Sequence, residues 1–118
     1  MRFNCEKDLV VESVVHAHLE GRLDAAYADE FFETLSAQLG NGVTSLLIDM
    51  TGLEYVSSAG VGALIRLLTR VRQGGGALAV YGCNPRVQTV LKVTCLDAAV
   101  NLSATADQAR VWLRGVVT

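Results

Sequence analysis

Three short apolar runs, SLLIDM at 45–50, ALAVYG at 77–82 and AAVNL at 98–102, are separated by two stretches whose apolar residues recur at helical spacing. Between the first two runs, Val61, Leu64, Ile65, Leu67, Leu68 and Val71 make one apolar face and Arg66, Arg70 and Arg72 a polar one, before Gly74-Gly75-Gly76 stops the pattern. Between the second and third, Asn84-Pro85 reads as an N-cap followed by proline in the first turn, with Val87, Val90, Leu91 and Thr94 facing inward. Connections of this length cannot be hairpins, so the strands run parallel and are joined by right-handed crossovers. The spacing predicts an α/β domain with a mainly parallel central sheet of four to five strands and about four helices.

The flanks extend this pattern. From Leu9 to Glu20 the chain alternates, with Leu9, Val11, Ser13, Val15, Ala17 and Leu19 on one side and Val10, Glu12, Val14, His16, His18 and Glu20 on the other, the period of a half-exposed strand broken at most by a turn. Asp24 is the expected N-cap of a helix carrying Ala28, Phe31, Phe32, Leu35 and Leu39, which Gly40-Asn41-Gly42 ends. Thr105-Ala106-Asp107-Gln108 has the form of a capping box opening a last helix with Ala109, Trp112, Leu113 and Val116 at helical spacing. Without a repeat or a linker-like tract, residues 1–118 are expected to form one domain.

With 51% hydrophobic residues, 19% charged and one proline, the chain has the composition of a folded α/β unit with buried strands. A formal net charge of -2 gives no long-range attraction for nucleic acid or anionic lipid, so neither is an expected partner. MRFNCEKDLV is too polar for a signal-peptide core, and no apolar run has the length of a membrane span; the expected location is cytoplasmic, without direct membrane contact. Cys5, Cys83 and Cys95 are too scattered for a disulfide framework, and Cys83 and Cys95 are expected to be buried thiols.

The stretch YVSSAGVGALIRLL, residues 55–68, sets two serines before a helix. One of them, Ser57 or Ser58, caps it through a side-chain oxygen. A serine beside the positive end of a helix dipole is also a favourable place for a phosphate. Ser58 does not fit a hydrolase nucleophile, because the glycine two residues before it and a downstream histidine are both missing. His16 and His18 are expected to be solvated surface groups without a metal, since the sequence shows no further ligand cluster.

LLIDMTGLEYVSSAGVGAL and GGALAVYGCNPRVQTVLKVTCL, in this order of elements, resemble the STAS family, specifically the bacterial anti-sigma factor antagonists. The likeness is most specific from Asp49 to Gly62, with a second match in the G-x-L-D of Gly21–Asp24. The resemblance implies a partner switch. The unphosphorylated antagonist binds a GHKL-type serine kinase that doubles as anti-sigma factor, phosphorylation ends the binding, and a PP2C-type phosphatase restores it. It implies Ser58 as phosphoacceptor, aligned on Gly60, and a partner-binding surface of Asp24, Glu54, Tyr55, Ser57, Ser58, Ala59, Gly60 and Val61. Asp49 is implied as the support of the phosphorylation loop. In two places the chain departs from the family pattern: Ser57 replaces the motif aspartate, and Ala59 stands where many relatives carry Ser or Thr. No cofactor and no enzymatic activity are implied. The alternative is a constitutive structural STAS subunit of a scaffold or of a lipid-transport ABC complex, never phosphorylated.

Overall fold

Alternation along the strands decides which layer each residue joins. The computed structural model describes residues 1–117. Its strands are β1 (Arg2–Lys7), β2 (Val14–Leu23), β3 (Ser45–Val56), β4 (Leu78–Tyr81) and β5 (Asn101–Ser103), and its helices α1 (Ala28–Ser36), α2 (Ser58–Gln73), α3 (Pro85–Val93) and α4 (Ala106–Val117). The five strands lie side by side in chain order, with β1 antiparallel to β2 and every later pair parallel. Val15, Ala17 and Leu19 of β2, Leu46, Ile48 and Met50 of β3, and Leu78 and Val80 of β4 share one core with Phe31 and Leu35 of α1, Leu64, Leu67 and Val71 of α2, and Val87 and Leu91 of α3. The residues between them in sequence, Val14, Leu47, Ala79 and Tyr81, meet Ala109 and Leu113 of α4 on the other face. Among the described residues, α4 is the helix that covers this second face.

The caps expected of the last two helices are present. Asn84 Oδ1 accepts the Val87 amide at 2.8 Å with Pro85 at the first helical position. Thr105 Oγ1 accepts the Gln108 amide at 3.3 Å, and Gln108 Oε1 returns to the Ala104 amide, one residue outside a reciprocal capping box. Trp112 only partly joins the second core.

Other expectations are corrected. The chain begins with an edge strand, Arg2–Lys7, which polar side chains made illegible, and Leu9 is 98% exposed in the turn that follows. In that turn Asp8 accepts the Val11 amide at 2.9 Å, and Ser13 takes a positive φ of 67°. Asp24 does not cap α1: its Oδ1 accepts the Ala26 amide at 3.0 Å, and the helix begins at Ala28, after Tyr27, without a side-chain cap. The last strand starts at Asn101, because Leu96–Ala98 wind into a 3-10 turn after Cys95, whose φ is 62°. Cys95 is exposed, and only Cys83 of the expected pair is buried. Ile65 lies at the edge of the apolar face of α2, 47% exposed.

Candidate functional site

In a parallel sheet the carboxyl ends of the strands open at one edge, where the following helices begin. Here β2 and β3 end together, with Arg22 paired to Tyr55 and Leu23 to Val56. The ladder continues one step beyond the strands, where the Ser57 amide donates to the Leu23 carbonyl at 2.9 Å. Ser57 keeps an extended backbone and closes the first turn of α2 by two bonds. Its Oγ accepts the Gly60 amide at 3.2 Å, and its carbonyl accepts the Val61 amide at 2.9 Å. Ser57 is therefore the N-cap, and Ser58 is the first helical residue, with its side chain exposed. Among the described residues, none hydrogen-bonds the Ser58 hydroxyl.

Gly60 is required by a close approach. A Cβ there would lie 2.5 Å from the Leu23 carbonyl oxygen and 3.0 Å from Cγ1 of Val56, inside contact distance for both. The glycine thus lets α2 start directly against the end of β2. A second tie comes from α3, whose cap residue Asn84 reaches back through Nδ2 to the carbonyls of Leu53, at 3.1 Å, and Glu54, at 3.3 Å. The Arg22 guanidinium lies over the Tyr55 ring, 5.5 Å from its centre. Arg22, Glu54, Tyr55, Asn84, Pro85 and Arg86 together line an open groove beside the start of α2.

The fold brings Asp24, Glu54, Tyr55, Ser57, Ser58 and Ala59 to this one edge. Gly60 is buried against Leu23, and Val61 turns into the core, so these two shape the surface from below rather than face a partner. Sequence reasoning missed Arg22, Asn84 and Arg86 as members of the edge. Asn84 was legible as a cap, but its second role depends on β3 and α3 being neighbours.

Asp49 lies elsewhere. β3 continues seven residues past it to Val56, about 23 Å at the usual rise per residue, so Asp49 does not support the loop before α2. Its Oδ1 accepts the Thr51 amide at 2.9 Å and the Thr51 hydroxyl at 2.7 Å, while Oδ2 meets Nδ1 of His18 at 2.7 Å. Burial pushes the Asp49 carboxyl up, but the bonds from Thr51 and the neighbouring His18 outweigh it and hold the group below its ordinary value.

The two histidines are not the solvated pair expected from alternation. They stand on the second sheet face, where β1, β3 and β4 crowd them. His16 is 8% exposed, and its Nε2 meets the Tyr81 hydroxyl at 2.6 Å. Burial, then the charges of His18 and Arg110, hold its pKa below the ordinary value, while burial and the nearby Asp49 push the Tyr81 phenol up to about 12. Cys83, on the opposite face, is pushed up to about 11 by burial, which keeps its thiol protonated and unreactive. Neither histidine nor Asp49 is placed to take a proton from Ser58.

A sequence profile of the STAS domain matches residues 8–109. The anti-sigma F factor antagonist of Lysinibacillus sphaericus is 26% identical over 118 residues, covering 99% of this chain and 98% of that protein. BtrV of Bordetella bronchiseptica is 27% identical over 84 residues, 71% of this chain and 72% of BtrV. Among solved structures, the anti-sigma factor antagonist SpoIIAA in its unphosphorylated form superposes with a TM-score of 0.80 at 23% identity, over 99% of this chain and 100% of SpoIIAA. Its phosphorylated form gives 0.68 at 22% identity, over 96% of this chain and 100% of that one.

Proposed function

The chain belongs to the STAS domain family, and we propose that it is an anti-sigma factor antagonist that signals through phosphorylation of Ser58. The observation that carries this reading is the division of labour between the two serines. Ser57 is committed to the Gly60 amide, and Ser58 presents an exposed hydroxyl on the first helical residue. A relative of full length that carries the antagonist's name, and a SpoIIAA fold described in both phosphorylated and unphosphorylated forms, support the same role.

In this mechanism the partner is a GHKL-type serine kinase that also holds the sigma factor. It supplies ATP and the catalytic groups, while this chain supplies the surface of Asp24, Glu54, Tyr55, Ser58 and Ala59 and performs no catalysis. A phosphate adds roughly -1.5 to -2 charges beside the free amides of the first turn of α2, where a dianion is favoured, so the domain keeps its fold. Docking buries that oxygen against the partner. An unpaired buried charge costs several kcal/mol, which corresponds to a loss of binding of a hundredfold or more. A PP2C-type phosphatase removes the group and restores the complex.

Incubation with the cognate kinase and ATP, followed by intact-mass and fragment-ion measurement, tests the assignment. One phosphate on Ser58 is expected; phosphate on Ser57 alone refutes it.

A further inference from the structure

Glu6 of β1 and His16 and His18 of β2 each offer a ligand atom, and the three atoms lie within 4.8 Å of one another. From the juxtaposition of these side chains we infer that the second sheet face holds a divalent transition ion of the zinc type, bound by two imidazoles and one carboxylate with solvent completing the site.

The geometry around His18 leaves a place for a cation between two side chains. A neutral imidazole carries one ring proton, and the Asp49 carboxylate 2.7 Å from Nδ1 claims it. Nε2 then presents a lone pair to Oε1 of Glu6 at 3.2 Å, and two acceptors face each other. A metal ion between them would give both lone pairs a partner. The neighbouring ring lies close as well: His16 and His18 have ring centres 4.2 Å apart, so a single cation could serve both.

The outer contacts also suit a metal. Asp49 on Nδ1 of His18 forms the carboxylate–histidine arrangement that fixes the tautomer and leaves Nε2 for coordination. The Tyr81 hydroxyl holds Nε2 of His16, and so orients that ring. Nε2 of His18 and Oε1 of Glu6 are already separated by about the 3.3 Å that tetrahedral bonds of about 2.0–2.1 Å require. His18 and Asp49 line an open groove with Arg2, Asn4 and Thr51, which leaves the His18 side of the cluster open, although neither Glu6 nor His16 lines it. Bound there, the ion would fasten the edge strand β1 to β2, and through Asp49 to β3.

The test is titration of untagged protein with zinc chloride alone, by calorimetry, with thermal melts alongside. Saturable binding of one ion per chain at micromolar or lower dissociation constant is expected, together with a rise in Tm. His18→Gln and Glu6→Gln, at partly exposed positions that spare the core, should each weaken binding at least tenfold, and Asp49→Asn by about ten- to a hundredfold. His16→Ala removes a buried ring, so its result counts only where the melt shows a folded protein. An absence of one-to-one binding up to about 1 mM zinc, or binding that His18→Gln and Glu6→Gln leave unchanged, overturns the site.

Discussion

Ser57 Oγ stands 3.2 Å from the Gly60 amide, so the capping bond of α2 belongs to the serine that precedes Ser58. Two adjacent and chemically identical side chains therefore have separable effects. Ser57→Ala should cost about 1 kcal/mol of stability, the usual loss for an N-cap hydroxyl. Ser58→Ala, on an exposed first-turn position, should stay within about 0.5 kcal/mol of the parent. Urea unfolding of both variants checks the order, and a Ser58→Ala protein as destabilised as Ser57→Ala would reverse the capping assignment.

Charge at position 58 should act on the complex and leave the fold alone. Ser58→Asp and Ser58→Glu are expected to retain a Tm near the parent's and to lose the kinase by a hundredfold or more, while Ser58→Ala binds constitutively. Calorimetric titration against the cognate kinase measures this directly. Should the two acidic variants and the enzymatically phosphorylated protein all bind as tightly as the parent, the switch is disproved and a constitutive structural role takes its place.

Asp24 directly follows β2 beside the Ser57 tether, half-buried and bonded to the Ala26 amide. Asp24→Lys reverses its charge at the proposed docking edge. Affinity for the kinase should fall at least tenfold with native circular dichroism; unchanged affinity in a folded variant would exclude Asp24 from the contact.

The two glycines near the start of α2 should respond in opposite directions. Gly60→Ala drives a methyl group to within 2.5 Å of the Leu23 carbonyl and should destabilise by more than about 2 kcal/mol. Gly62 has open space around the same construction, and Gly62→Ala should stabilise by about 0.5–1 kcal/mol through helix propensity. Thermal melts of the pair decide it.

Acid should loosen the attachment of α4. Arg110 bonds Asp8 through Nε and Nη2 at 3.1 and 3.0 Å; the Asp8 side chain is 0% exposed and that of Arg110 19%. Burial alone would raise the Asp8 pKa, but the Arg110 bonds, the Val11 amide and the Arg110 charge together hold it below the ordinary value. A depressed carboxylate pKa contributes stability above its unfolded value and loses it as pH falls through the folded one. Asp8→Asn should thus be less stable by about 1–3 kcal/mol near neutral pH, with the difference closing below about pH 4. Denaturant titrations across that range supply the measurement.

The parallel core could be read from sequence because Leu46, Ile48, Leu78 and Val80 form continuous apolar runs, and α2 and α3 because Val61, Leu64, Leu68, Val87 and Leu91 keep helical spacing. The Ser58 edge was legible as a motif, while its construction was not. The Asn84 ties to Leu53 and Glu54, and the fit of Gly60 against Leu23, join residues 30 or more apart in the chain. β1 escaped notice because Arg2, Asn4 and Glu6 face the open side, while Phe3 and Cys5 alone mark the buried one. His16 and His18 were misplaced for a related reason. Alternation tells which side of a strand a residue takes, and does not say whether another strand and helix will shelter that side.

The Ser57–Leu23 and Asn84–Leu53 bonds have a kinetic meaning as well. A surface stitched to the ends of two strands needs no rearrangement before an encounter, so its association rate is set by diffusion, orientation and charge, and should differ less between the two states of Ser58 than the affinity does. Most of the difference must then appear in the lifetime of the complex. On this account phosphorylation acts mainly by shortening each stay.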